Sequence, residues 1–135
     1  MLSIIGKILE VVGKLVGLRS ELERADKALR DKIADLFDQI SDCLLRVATE
    51  LRKEQVPHGA CAELATYSVG IAVLISPITG QTEAMEISDK LREAHNVEGL
   101  LLSLREVPNP GDEIAKIEGA SGEFKALANM LRATA

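Results

Sequence analysis

Residues 21–54, ELERADKALRDKIADLFDQISDCLLRVATELRKE, decide the fold. The stretch has neither Gly nor Pro. Its apolar residues recur at steps of three and four: Leu22, Ala25, Leu29, Ile33, Leu36, Ile40, Cys43 or Leu44, Val47 and Leu51. One extra step of four separates Leu29 from Ile33, the mark of a stutter. This rhythm belongs to a helix with one buried stripe, not to the alternation of a strand. Ser20 opens SELE, which reads as a capping box at the helix start. About 34 residues at 1.5 Å each predict a rod near 50 Å. Its flanks mix acids and bases densely, as a solvated face does.

Before the rod stands MLSIIGKILEVVGKLVGL, residues 1–18. At about 100° per residue, Ser3, Lys7, Glu10 and Lys14 share one narrow sector, with Gly6, Gly13 and Gly17 along its border. The apolar arc covers roughly 200° and includes Leu2, Leu9, Val16 and Leu18. Its centre, Ile4, Ile5, Ile8, Val11, Val12 and Leu15, reads first as the side that closes the bundle core and second as the candidate interaction face. The glycines each cost about 1 kcal/mol against Ala, so they imply either close approach of a neighbouring helix or flexibility. Gly17 is expected to close this helix in the left-handed conformation.

After the rod, Pro57 in QVPHGA starts a helix over residues 58–75. Its centre, VGIAVLI, is apolar on every side and predicts the buried central element of the bundle. Residues 64–82 carry no charge, yet only their middle is strongly apolar, which favours a buried helix over a membrane span. Pro77 and Gly80 are expected to stop it. Thr82 is expected to cap a helix over 83–106, inward through Met85, Ile87, Leu91 and Ala94 and kinked near 96–99. VPNPGD is a turn, and Asp112 is expected to cap a last helix over 112–132, with Ile114, Ile117, Ser121, Phe124, Ala128 and Leu131 in unbroken three-four rhythm. The fold class is therefore all-α: an antiparallel bundle of four to five helices, or six, in one domain over residues 1–135.

Composition agrees. At 135 residues the chain can bury a core without disulfides or metals. Aromatics are limited to Phe37, Tyr67 and Phe124, so aliphatic residues must fill that core. Residues 1–54 are neutral overall, and the net charge of −5 comes from the second half. No basic stripe is present to neutralise phosphates, which excludes nucleic acid as a partner. Two cysteines make no disulfide framework, and Lys7, Glu10 and Lys14 interrupt what would be a signal sequence. A reduced, cytoplasmic protein is expected.

Chemistry is thinly represented. His58 and Cys61 could be two metal ligands or a base beside a thiol, but zinc wants about four ligands. Antiparallel pairing of the helices around QVPH would set Cys61 beside Leu51 or Arg52, roughly 13 Å from Cys43. Asp35, Asp38 and Asp42 share one edge at helical spacing and read as a solvated face. The motif Arg92-Glu93-Ala94-His95 lacks the inward pairs of a di-iron bundle. No catalytic residue, metal ligand or cofactor is assigned.

The arrangement resembles the helical execution domains of the HeLo and MLKL type. MLSIIGKILEVVGKLVGL stands in the place of their N-terminal amphipathic helix, and residues 21–54 in that of the following long helix. The resemblance implies a compact helical bundle tied to cell-death signalling, with a segment that acts on membranes. Residues and resemblance together lead to two expectations. The first is a non-enzymatic module that associates with itself, as a homo-oligomer, or with another protein of a larger signalling or defence-like system. The second, placed behind it, is a membrane-active effector whose first helix engages lipid.

Overall fold

The rod expected over residues 21–54 is broken near its start. The computed structural model describes residues 3–134; the place given to Leu2 in the apolar arc lies outside them. Among the described residues seven helices are formed: α1 (Ile4–Gly17), α2 (Arg19–Glu23), α3 (Lys27–Arg52), α4 (His58–Thr79), α5 (Gln81–Arg92), α6 (Val97–Arg105) and α7 (Pro110–Ala133). A single 3₁₀ turn, Glu93–His95, joins α5 to α6. No strand occurs among the described residues, and the fold is an all-α bundle.

The break before α3 is the work of Asp26. Its backbone is extended, and its carboxylate accepts from the Leu29 N–H at 2.9 Å. An Asp in this position satisfies an orphan donor and starts a helix of its own, so α3 is 26 residues long. The SELE segment makes only the short α2. Arg30 then bridges the gap. Its guanidinium donates to the Ala25 carbonyl at 2.8 Å and to the Thr134 carbonyl at 3.1 Å, beyond the ends of α2 and α7, where a cation meets the negative end of each helix dipole.

Other ends differ from expectation for equally local reasons. Gly17 stays helical; the left-handed residues among those described are Gly80 and Glu54. Glu54 closes α3 in a Schellman arrangement, Gln55 N–H bonding to the Glu50 carbonyl and Glu54 N–H to that of Leu51. Pro77 lies inside the last turn of α4, and the helix runs to Thr79. Gly80 turns the chain straight into α5, which places Thr82 within the helix. The kink near 96–99 is a full break: Asn96 caps α6 through the Gly99 N–H at 3.0 Å. Pro110 opens α7, which puts Asp112 in its first turn as a favourable charge and not at the cap.

The axis of the bundle is the α3–α7 pair, the most extensively packed in the molecule. Phe37 and Phe124 meet edge-on, ring centroids 5.4 Å apart. Partners ascend α3 as they descend α7: Asp35 with Arg132, Ser41 with Ser121, Arg52 with Glu118. Asp35 and Asp42 lie exposed on the solvated edge expected for them, with Asp38 half-buried beside them, and Asp35 and Asp38 are further tied to Arg132 and Lys125 of α7.

Candidate interaction face

The face expected to meet a partner is turned inward. Ile4, Ile5, Ile8, Val11, Val12 and Leu15 are all buried in the common core. Burying a large aliphatic side chain is worth about 1.5–3 kcal/mol. Undocking six of them therefore costs on the order of 10 kcal/mol or more, comparable with the whole stability of a domain. The first helix is a core element. A Cβ at Gly13 or Gly17 would meet nothing within 4 Å, so no close approach explains these glycines.

The polar sector of α1 has a task that leaves no mark in the local sequence. Lys7 pairs with Glu93, Glu10 with Lys90, and Lys14 with Glu86 at 3.9 Å. Signs alternate along both elements. Sliding α1 by one turn would set Lys7 against Lys90 and Glu10 against Glu86. Each exposed pair is worth little, but together they penalise a slip by one turn.

The surface anomaly is on α4. The centre of this helix, residues 69–75, is apolar around its whole circumference, yet only two sides are covered. Ala60, Cys61, Leu64, Ile71 and Ile75 enter the core. Gly70 admits α3, and a Cβ there would stand 3.1 Å from Leu36 Cδ1. Ser68 admits α5, its carbonyl accepting from Ser88 Oγ at 2.8 Å. The third side, Ala62, Thr66, Val69, Val73 and Pro77, is exposed. Val69 is 50% and Val73 65% exposed, and Met85 of α5 beside them is 41% exposed. The expected central helix is thus a flank of the bundle. All-round apolarity carries no direction, so the sequence could not say which side would stay open.

The face is electrically quiet. No Lys or Arg occurs between Lys53 and Lys90. Glu63 is bound to Arg46 of α3, and Asp89 to Arg92 at 2.6 Å. The Thr66 hydroxyl folds back onto the Ala62 carbonyl at 3.2 Å. Between α4 and α5 runs a groove of about 510 Å³, lined by Ala72, Val73, Ser76, Pro77, Gln81 and Met85.

Residues with chemical potential do not converge. His58 is exposed while Cys61 is buried, so they do not share a site. Burial pushes the Cys61 thiol up to about 11, and also raises that of Cys43. Arg46 with Glu63 and Leu36 with Gly70 set Cys61 opposite residues near 45–48, about one turn from Cys43 and not beside Leu51 or Arg52. Both thiols are buried and free. Among the described residues no three His, Cys, Asp or Glu side chains are grouped to hold a metal ion. His58, His95 and Glu98 border a shallow hollow of about 370 Å³. A second hollow, about 870 Å³, has an apolar floor of Leu51, Leu101, Leu104 and Ile114, and its Arg52 is held by both Glu118 oxygens. Comparison with protein-family models, curated proteins and solved structures found no match to this chain, and its surfaces alone carry the functional reading.

Proposed function

We propose that the protein is a non-enzymatic helical module that works by association, through the outer face of α4 and the edge of α5, within a larger cytoplasmic system. One observation carries this reading: the centre of a 22-residue helix, residues 69–75, is apolar on every side, yet one side of it is uncovered. Helices of that kind are ordinarily buried, and contiguous exposed apolar surface marks an interaction site. The interacting surface is thereby moved from α1, where the sequence suggested it, to α4. A photo-crosslinking side chain at position 73, expressed in cells, tests it. Covalent products are expected from position 73 and none from Glu123, which is exposed on α7. Equal silence at both positions removes the reading.

A second reading, membrane action, has its own observation. Helix α4 is long and apolar enough to cross a bilayer, with mean hydropathy 1.6. The agent would then be α4, not α1. The charges that flank it, Glu63 with Arg46 and Asp89 with Arg92, are paired and leave no free cation to draw anionic lipid. Flotation with anionic and neutral vesicles, comparing wild type with Val73→Glu, decides it. Removing residues 1–18 would not, because it removes the core side chains of α1. Lipid binding abolished by Val73→Glu supports membrane action, and absence of binding ends it.

A further inference from the structure

We propose that the occupant of the α4 face is a second copy of this chain, packed two-fold through Ala62, Thr66, Val69, Val73 and Pro77 with Met85 beside them. This rests on the association reading and names its partner.

Charge is the first ground. The pairs that flank the stripe, Arg46–Glu63 and Arg92–Asp89, are closed within the chain. A charged peptide or an anionic headgroup finds no free counter-charge there. The surface is matched by one that is itself uncharged and apolar, and this chain presents such a surface. Two-fold symmetry brings a patch against itself, so an ionised stripe would repel its own copy. The stripe contains no ionisable side chain.

Shape is the second. Ala62 and Thr66 at one end and Val69 and Val73 at the centre are short, which lets two helix axes approach to the usual 8–10 Å. Size is the third. The stripe from Ala62 to Pro77 is about 23 Å long, and α4 with the edge of α5 is about 20 Å wide, so roughly 450 Å² per chain is available, the size of a weak contact. Stable pairs bury about 800 Å² per partner. A lone partner helix about 10 Å wide would leave half of the surface wet. A second copy covers it and forms a weak, reversible dimer with a dissociation constant in the micromolar range.

Sedimentation equilibrium from about 10 µM to 1 mM, bracketing that range, is the test. A monomer–dimer equilibrium is expected, weakened at least tenfold by Val73→Glu. That side chain points outward, and circular dichroism and the melting midpoint check that the variant folds. A photo-crosslinker at position 73 of the purified protein is expected to give a product of doubled mass. A strict monomer throughout overturns the second copy. The association reading then stands if position 73 crosslinks another protein in cells. A dimer equally strong in Val73→Glu also overturns the second copy at α4, because it forms elsewhere, and the association reading again rests on the crosslink from position 73 in cells.

Discussion

Ser41 and Ser121 exchange hydrogen bonds across the α3–α7 crossing. Ser41 Oγ donates to the Ser121 carbonyl at 2.8 Å, and Ser121 Oγ donates to the Ser41 carbonyl at 2.7 Å. Both residues are buried, and their small side chains let the helices approach at this point. Replacing either by Ala is expected to cost about 1 kcal/mol, the usual worth of one such bond. Ser121→Val adds bulk where no room exists and is expected to cost about 1–3 kcal/mol. Urea midpoints at constant slope measure both. A Val variant as stable as the Ala variant would contradict the close crossing.

The ladder between α1 and α5 predicts rescue by charge exchange. Lys90→Glu sets an acid against Glu10 and is expected to lower the melting midpoint slightly at low salt. Adding Glu10→Lys restores opposite signs at every rung and is expected to recover most of the loss. Both effects shrink in high salt. A double variant no better than Lys90→Glu would mean that positions 10 and 90 do not pair.

Acid is expected to loosen the bundle. The hydrogen bond from Lys90 holds the Glu10 carboxyl below its usual range of about 4.5, and that from Arg52 does the same for Glu118. Burial pulls Asp38 upward, but bonds from Arg132 and Lys125 outweigh it and leave it below 3.8. A carboxyl depressed in the folded state stabilises fully above its unfolded value, and that contribution is lost as pH falls through the folded value. Thermal midpoints should therefore be insensitive to these groups above about pH 5 and decline below about 4.5. Stability that rises between pH 4.5 and 3 would reverse the sign and refute the assignment.

Backbone geometry predicts opposite outcomes at three positions. Glu54 holds φ 57 at the end of α3, a conformation natural to Gly, and Glu54→Gly is expected to stabilise by about 0.5–1 kcal/mol. Gly80 holds φ 91 and ψ 156, and Gly80→Ala is expected to destabilise by about 1–3 kcal/mol. Gly13 is an ordinary helical residue with open space beside it, and Gly13→Ala is expected to add about 1 kcal/mol. Chemical denaturation reads all three, and a loss at Gly13 would reveal a hidden contact.

Both thiols should resist alkylation in the native protein. Burial raises them and withholds the thiolate, the reactive form. Mass spectrometry after iodoacetamide at pH 8 is expected to show no adduct until denaturant is added. Rapid native labelling of Cys61 would place it at the surface.

What is legible in the sequence follows the kind of signal each element carries. The three-four steps of α3 and α7 announce both helices and their inward residues. The register of α3 against α4 is not announced, because the geometry of one loop decides where Cys61 falls. Asp26 is hidden inside a periodic run, where apolar rhythm masks a cap. The outer face of α4 escapes for a deeper reason. VGIAVLI looks the same from every direction, and only Leu36 against Gly70 and Ser88 against Ser68 reveal which sides are taken. Lys7, Glu10 and Lys14 stand out as a polar sector, but their partners lie more than seventy residues away and leave no local trace.

The distance along the chain between Ser41 and Ser121 also bears on how the protein is made. During synthesis α3 emerges long before the helix that will cover it, and until α7 has left the ribosome the rings and methyl groups around Phe37 face water. The nascent chain thus spends most of its translation with its broadest greasy surface bare. A ribosome halted before residue 110 should display a chain that proteases cut freely, and one released after α7 should display a resistant one.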